Sequence, residues 1–364
     1  MKKSEKQFLF DLLNTPSPSG FEAEGQRKWA GYVRSYVDQV GNDHYGNTWG
    51  VLEGSAKGKG PRIMLEAHAD EIGFMVSYIA ENGYLRVTRI GGSDRAIVRG
   101  RIVRILGDKG EVKGVIGNTA IHLREASDVK IPKWEDVFID VGAKDKAGVE
   151  KMGIRVGHPA VFAESAQEVG KNRLVGRALD NRIGGYIIAR VMARLAAARK
   201  KSRKKLQGSV YAVNAVQEEI GGNGARMVTY RLEPTVAVVL DVTHATDSPG
   251  ISASKHGDVK LGGGPSLTHG TANHPAVVKR LMEVAAKQKI SIQHEASSRY
   301  TGTDTDDVFV SRAGVPSALV SLPMRYMHST VEMVDHADIE SVIKLLTGFC
   351  QSVKAGDKFS AEIV

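Results

Sequence analysis

The chain has 364 residues, of which 42% are apolar and 25% are charged, and it carries a formal net charge of +9 and one cysteine. This length allows about two average domains, and the composition excludes disordered and collagen-like proteins. No apolar run approaches the roughly 20 residues of a membrane-spanning helix, so we expect no membrane partner. A single cysteine, Cys350, excludes an internal disulfide and a thiolate zinc site, so we expect a cytoplasmic protein.

The N-terminal part of the sequence predicts two helices and one short strand. Apolar residues recur at helical spacing over Glu5–Leu13 and again over Glu22–Val40, and Arg62–Leu65 is a short apolar run typical of a buried strand. The first stretch follows basic residues but is interrupted by Asp11. We therefore expect an amphipathic helix there and no secretory signal.

Residues 73 to 162 have a different pattern, in which short β-type runs are separated by glycines. Turn signals such as Glu81-Asn82-Gly83 lie at close spacing, which predicts a small β-barrel or sandwich. One short helix is predicted between these strands, at about Lys144–Met152. The predicted strands are Phe74–Ile79, Tyr84–Ile90, Arg101–Leu106, Glu111–Ile116, Val137–Val141 and Ala160–Phe162.

After this segment the pattern alternates between strands and helices. Such alternation predicts an α/β fold with a mostly parallel sheet covered by helices. We therefore expect an α/β domain formed by residues 1–72 and 165–364, interrupted by a β-rich, barrel-like domain at residues 73–164. The predicted elements are strand Leu174–Gly176, helix Asn181–Ala198, strands Val210–Val216 and Val236–Leu240, helix His274–Lys287, strand Ser317–Ser321 and helix Ala337–Val353.

Much of the positive charge lies in one segment, residues 199–205, which has six basic residues and no acidic one. Because it follows a predicted helix, its cations suit the negative end of the helix dipole, and we interpret it as a solvated helix end. The alternative is a patch that binds a polyanion. Aromatic residues are 6% of the chain and none interrupts this segment, which argues against stacking on single strands. We expect no nucleic-acid partner.

Acidic residues and histidines follow the apolar runs of four predicted strands or lie beside a helix start. In open α/β sheets, ligands bind at the carboxyl ends of the strands, so we expect these side chains to meet in one crevice. Each has a simpler interpretation by itself, since Asp180 could cap its helix and adjacent glutamates are usually exposed. The residues are His68, Asp70, Asp180, Glu218, Glu219, Asp241 and His328.

Taken together, these residues predict a metal site. Glu218 and Glu219 end a strand that is expected to be buried, and carboxylates buried without partners are costly, so divalent cations are the natural compensation. Nitrogen and oxygen ligands without thiolates favour Zn or Co, and allow Mn. The number of groups suits two ions sharing a carboxylate, with one glutamate left as a general base. Such a centre hydrolyses amides or esters.

Five segments in order, residues 66–74, 176–182, 217–221, 240–242 and 325–329, carry these groups. They resemble the di-metal aminopeptidases of metallopeptidase family forty-two. That family includes glutamyl, leucyl and deblocking aminopeptidases, and some members labelled endoglucanases. The resemblance extends over nearly the whole chain and implies a zinc-exopeptidase-like α/β domain.

The resemblance also implies a role for each group. His68 and Asp241 would bind one metal ion, Glu219 and His328 would bind the other, and Asp180 would bridge them. Glu218 would act as general base, and Asp70 would orient His68 during catalysis. These assignments correspond to the following residues of the chain: His68, Asp70, Asp180, Glu218, Glu219, Asp241 and His328.

The resemblance further implies how the chain assembles and where substrate binds. The β-rich segment would be a dimerisation domain, and dimers would form a hollow tetrahedral dodecamer. Thr303 and Asp304 resemble a family motif near the substrate, and Arg325 is a further candidate for substrate binding. Asp306 and Asp307 add acid to that motif and leave the preferred N-terminal residue open, whether acidic, basic or neutral.

The sequence therefore predicts a metal-dependent aminopeptidase that acts on short peptides. One alternative is an amide hydrolase of other specificity. Another is an endoglucanase-type glycosidase, but such enzymes use two carboxylates without a metal, so the two histidines argue against it. A third is a scaffold that binds nucleic acid through residues 199–205.

Overall fold

A computed structural model describes residues 2–55, 60–125, 130–201, 206–361 and 363. Its helices are α1 (Lys3–Asn14), α2 (Ala23–Val33), α3 (Lys146–Lys151), α4 (Leu179–Lys201), α5 (Asn223–Leu232), α6 (Ala253–His256), α7 (Pro275–Gln288), α8 (Thr305–Val308) and α9 (His336–Ser352). The strands up to the long helix α4 are β1 (Gln39–Asn42), β2 (Thr48–Leu52), β3 (Arg62–His68), β4 (Gly73–Ile79), β5 (Leu85–Ile90), β6 (Arg101–Gly107), β7 (Gly110–Ile116), β8 (Phe138–Asp140), β9 (Pro159–Phe162), β10 (Gln167–Val169) and β11 (Arg173–Gly176). The later strands are β12 (Ser209–Ala215), β13 (Val236–His244), β14 (Ser266–His269), β15 (Gln293–Ala296), β16 (Ser317–Met324) and β17 (Glu332–Asp335).

The largest sheet has eight strands in the order β1-β2-β12-β3-β13-β16-β14-β15. Its four central strands, β12, β3, β13 and β16, run parallel. Strands β2 and β14 join this parallel core in antiparallel orientation. The predicted α/β fold is confirmed, with a mixed sheet whose centre is parallel.

Helices cover both faces of this sheet, which explains why its central strands are mostly apolar. Successive side chains of a strand point to opposite faces. On β3, Ile63 and Leu65 belong to the core shared with α4 and α9, whereas Met64 belongs to the core shared with α5 and α8. Burial on both faces therefore holds β3 in the middle of the sheet, with its carboxyl end at His68.

The first strand pair corrects one prediction. The predicted helix Glu22–Val40 ends at Val33, and Val40 lies in β1, opposite Gly50 of β2. The turn between the two strands is fixed by Asp43, whose carboxylate accepts backbone N–H groups from Tyr45, Gly46 and Asn47. Apolar residues continue at helical spacing through Val40, but this turn and the pairing with β2 favour a hairpin.

A closed barrel follows, with strand order β4-β5-β8-β7-β6-β9. This confirms the predicted β-rich insertion and decides between a barrel and a sandwich. The barrel has its own core, which includes Phe74, Val87, Ile105 and Ile139. Its strands span residues 73 to 162. The division into domains and the role in dimerisation stay predictions.

The helix α4 packs closely on the large sheet, because two glycines in its first turns face β3 and β12. A Cβ at Gly184 would lie 2.9 Å from the Cβ of Ala67, and a Cβ at Gly185 would lie 2.6 Å from the Asn214 Oδ1. The Gly185 carbonyl also accepts a hydrogen bond of 2.8 Å from the Trp29 indole. This close approach brings the start of α4 to the carboxyl edge of the sheet.

The first three residues of the basic segment, 199–201, lie in α4. The two terminal nitrogens of the Arg199 guanidinium, Nη1 and Nη2, donate hydrogen bonds to the Asp38 carboxylate at 2.6 and 2.9 Å. The helix ends at Lys201, and residues 202–205 of the predicted segment lie outside the described residues. Among the helices that the structure describes, none has the length and apolarity to cross a membrane.

Candidate active site

The predicted site residues lie at the carboxyl edge of the parallel strands. His68 is the last residue of β3, in register with Ala215 at the end of β12, after which the chain turns into Glu218 and Glu219. Asp241 lies inside β13, opposite Ser321 of β16, and not beyond the end of its strand as predicted. Parallel strands therefore bring these groups to one edge, as the sequence predicts.

Asp180 is the centre of this cluster, and it reaches two histidines with different oxygens. Its Oδ1 lies 3.2 Å from the His68 Nε2, and its Oδ2 lies 3.3 Å from the His328 Nε2. The backbone of Asp180 is not helical, with φ −75° and ψ 113°, although it lies in the first turn of α4. This conformation directs its carboxylate between the two histidines.

Two further carboxylates complete two groups of potential metal ligands. The Asp241 Oδ1 lies 3.8 Å from the His68 Nε2, and the Glu219 Oε2 lies 3.5 Å from the His328 Nε2. His68, Asp180 and Asp241 offer ligand atoms within 4.8 Å of one another, and so do Asp180, Glu219 and His328. The structure thus brings together five predicted ligands in two groups that share Asp180.

The cluster contains more carboxyl groups than imidazoles, so the histidines cannot neutralise all of its acids. Burial raises the pKa of Asp241 to about 7 and that of Glu218 to about 10, in both cases against the attraction of His68. The pKa of Asp180 is lowered, because hydrogen bonds from His328 and His68 outweigh the effect of burial. Crowded carboxylates of this kind disfavour one another's ionisation unless cations neutralise them.

The donor atoms fit divalent cations. The Glu219 side chain is 5% exposed, and its Oε1 is buried without a hydrogen-bond partner among the described residues. Such an oxygen is costly unless a cation or donor satisfies it. Carboxylate oxygens and imidazole nitrogens without thiolates suit Zn, Co or Mn. The described residues therefore contain two candidate metal-binding groups.

Asp70 holds both His68 and the segment that carries the two glutamates. Its Oδ1 lies 3.4 Å from the His68 Nδ1 and accepts the Glu218 backbone N–H at 3.0 Å. Its Oδ2 accepts the Glu219 backbone N–H at 3.2 Å and the Ser19 hydroxyl at 2.5 Å. Burial opposes ionisation, yet these bonds keep the pKa of Asp70 below its usual value. Sequence reasoning missed Ser19, because its partner lies 51 residues away.

A turn from the barrel also touches the site. Two glycines, Gly91 and Gly92, follow β5, and a Cβ at Gly92 would lie 2.5 Å from the His328 Nδ1. A hydrogen bond with the Gly92 backbone adds to the effect of Asp180 in raising the pKa of His328. A Cβ at Gly91 would lie 3.1 Å from the Glu219 Cβ. The sequence shows this glycine pair but not what approaches it.

The predicted substrate residues do not all lie together. Thr303 lines a cleft of about 430 Å³ that opens beside the metal-binding groups. Asp304 is 1% exposed, does not line that cleft, and interacts with Glu66. Arg325 directs its guanidinium to Asp247, with two bonds of 2.8 and 2.7 Å. Of the three, Thr303 is the residue that the structure places on the cleft wall.

The sequence analysis did not identify Glu66 as a site residue, because Glu66 lies inside β3, where an apolar residue is expected. It is fully buried, and no oxygen of its carboxyl or of the Asp304 carboxyl has a hydrogen-bond partner among the described residues. Burial raises the pKa of Glu66 to about 8, and it raises the pKa of Asp304 as well. Two neighbouring carboxyl groups favour a state in which one of them is protonated. This pair therefore carries less negative charge than two ionised carboxylates.

The extra acids of the same loop do not line the cleft. Asp306 accepts the backbone N–H groups of Thr301 and Gly302 at 2.9 Å each. Asp307 pairs with Arg226. These contacts fold the loop that presents Thr301 and Thr303 to the cleft. The acids that line the cleft in the described part of the chain are Asp180, Glu218, Glu219 and Asp241, all from the cluster around His68 and His328.

Known proteins are similar to this chain in sequence and in fold. The sequence profile described as M42 glutamyl aminopeptidase matches residues 46–345. A lysyl aminopeptidase of Pyrococcus furiosus is 36% identical over 357 residues, which cover 96% of this chain and 98% of that protein. The solved structure of aminopeptidase APDkam598 from the archaeon Desulfurococcus kamchatkensis has 33% identity and a TM-score of 0.89, and covers 99% of each chain.

A second solved structure bears on assembly. It is the TET1 peptidase of Pyrococcus horikoshii, described as able to assemble into a tetrahedron or a large octahedral shell. Its TM-score is 0.84 at 27% identity, covering 96% of this chain and 100% of its own. The profile match spans most of the sequence, and the relative from Pyrococcus furiosus matches it almost end to end. The chain therefore belongs to the M42 family of aminopeptidases.

Proposed function

We propose that the chain is a two-metal aminopeptidase that removes N-terminal residues from short peptides. His68 and Asp241 would hold one divalent cation, Glu219 and His328 the other, and Asp180 would bridge them. The observation that carries this proposal is the position of Asp180, whose two oxygens lie 3.2 and 3.3 Å from different histidines. A shared carboxylate is the feature that distinguishes a paired centre from two separate sites.

Glu218 is the proposed general base. It belongs to neither ligand group, its side chain is 16% exposed, and it lines the cleft. Its Oε2 lies 3.7 Å from the His68 Nε2, which places it beside the proposed metal ions. The chemistry that two divalent cations supply in such a centre is polarisation of the carbonyl and activation of water. Glu218 would take a proton from the water and return it to the leaving amine.

Asp70 would act through His68 and through the backbone. It contacts the His68 ring on the side opposite Asp180, and it holds the N–H groups of Glu218 and Glu219. A carboxylate in this position fixes the orientation of the ring and raises the basicity of the ligand nitrogen. It would therefore keep a ligand and the base in place without contacting substrate.

We propose the cytoplasm as the compartment, supported by Cys350, a free thiol that is buried. We also propose a homo-oligomer, built from dimers through the barrel and reaching a tetrahedral dodecamer. What supports it is the similar TET1 peptidase, which is described as forming a tetrahedron or an octahedral shell.

Light scattering on the purified protein measures the assembly directly. We expect a particle of twelve times the 39.3 kDa mass of one chain. A mass of one or two chains over the micromolar range would contradict the dodecamer. It would leave the proposed chemistry standing, because both candidate metal-binding groups lie within one chain.

Removal of metal ions tests the proposed function. Chelation should abolish release of nitroaniline from a panel of aminoacyl-nitroanilides, and Zn, Co or Mn should restore it. The thermal midpoint should also fall on chelation, since ions that bind the folded state stabilise it. Absence of metal-dependent release from every residue tested would refute the aminopeptidase. Chelator-resistant cleavage of cellulose would favour the glycosidase alternative instead.

The substitution Glu218→Gln tests the base. It should leave both metal ions bound and lower kcat by about 10²–10⁴-fold, the usual contribution of a general acid or base. Metal content and turnover are measured on the same preparation. Glu283→Gln, on an exposed helix surface, is the control and should change neither. Unchanged turnover in Glu218→Gln would assign the base to another group.

The substitution Gly92→Ala tests whether the barrel turn orients His328. The added methyl group would meet the ring at 2.5 Å from Nδ1 and 2.7 Å from Cε1. We expect metal affinity to fall by about 10–100-fold, as for other contacts that orient ligands. Gly31→Ala is the control, because a Cβ there has no neighbour within 4 Å. Equal metal affinity in both variants, measured by calorimetry, would refute this role.

A further inference from the structure

Two of the proposed ligands share a support that the mechanism above does not use. Glu332, the first residue of β17, accepts the Asp180 backbone N–H with Oε2 at 3.1 Å and the His328 backbone N–H with Oε1 at 3.0 Å. Asp180 and His328 lie 148 residues apart in the chain. One carboxylate thus connects the proposed bridging ligand to a ligand of one metal ion.

Both residues held by Glu332 have backbone conformations that differ from those of a regular helix. His328 has φ of +59°, in the left-handed region that few residues other than glycine adopt. Asp180 interrupts the first turn of α4 with ψ of 113°. A left-handed residue such as His328 persists where surrounding contacts enforce its conformation. The two hydrogen bonds from Glu332 act directly on these two residues.

Glu332 is well placed to act as a rigid link. It is 2% exposed, and it pairs with Gly176 of β11, four residues before Asp180. The next residue of β17, Met333, forms two backbone hydrogen bonds of 3.0 Å with Arg325, three residues before His328. Strand pairing therefore anchors the backbone of Glu332 to both segments that carry its partners.

We infer that Glu332 is a positioning residue that fixes Asp180 and His328 and thereby sets the affinity of the Glu219–His328 group for a divalent cation. This inference rests on the proposed function and deepens it. Since His328 serves one ligand group only, loss of Glu332 should weaken the Glu219–His328 site more than the His68–Asp241 site. Contacts that orient ligands typically change metal affinity by about 10–100-fold.

The substitution Glu332→Gln tests this role. An amide has one acceptor oxygen, and its NH₂ group would face the second N–H donor, so one of the two contacts is lost. The protein stripped of metal is titrated with Co²⁺ by calorimetry. We expect one binding step to remain within a few fold of the parent and the other to weaken by about 10–100-fold. His328→Ala identifies the step that belongs to the Glu219–His328 group.

The chain offers a matched control in Asp338. This residue is 1% exposed, and its carboxylate also accepts two backbone N–H groups, from Gly262 at 2.7 Å and Gly264 at 2.8 Å. Asp338→Asn should lower the thermal midpoint as Glu332→Gln does, but leave both Co²⁺ steps as in the parent. A purely structural role for Glu332 predicts the same result for the two variants.

Turnover gives a second readout. Raising the Co²⁺ concentration by about 10–100-fold should restore kcat in Glu332→Gln, because the weakened site then fills, but not in Glu218→Gln. If Glu332→Gln does not fold, Glu332→Asp keeps the charge with a shorter reach and should show the same selective loss. Two Co²⁺ steps unchanged from the parent in the folded variant would refute the inference. A parent without two steps would refute the proposed function instead.

Discussion

Several carboxylates are concentrated at a buried edge of the large sheet, and the contacts around the site are needed to hold them there. Asp180, Asp241 and Glu219 lie around two imidazoles, with Glu218 beside them. Ion pairing with two histidines cannot neutralise this number of acids, and isolated buried charge is strongly unfavourable. The sheet must therefore hold the groups together against their own repulsion until cations bind.

Two further buried acids provide that support by accepting backbone amides. Asp70 accepts the N–H groups of Glu218 and Glu219, and Glu332 accepts those of Asp180 and His328. In both cases one buried carboxylate controls a pair of functional residues through the main chain rather than through their side chains. The carboxylates and imidazoles of the proposed ligands thus remain directed at one another. The pKa of Asp70 stays below its usual value, and hydrogen bonds to an ionised carboxylate are among the stronger ones in proteins.

Local patterns were enough to find most of the groups at the site, because acids and histidines at the ends of apolar strands are visible in the sequence. Where the competing interaction is distant, local patterns fail. The helical spacing up to Val40 is real, but pairing with β2 overrides it. Arg325 adjoins a site motif, yet Asp247 holds its guanidinium. Asp304 follows Thr303 directly but is buried with Glu66.

Three features can be predicted from local periodicity and side-chain chemistry alone: the alternation of strands and helices, the β-rich insertion and the residue types that can hold metal. The fold of the whole chain is needed to place each oxygen of Asp180 against a different histidine, Gly92 of the barrel against His328, and Glu332 between two proposed ligands. These contacts join residues far apart in the chain. Their existence depends on the strand order and register that packing of the whole chain selects.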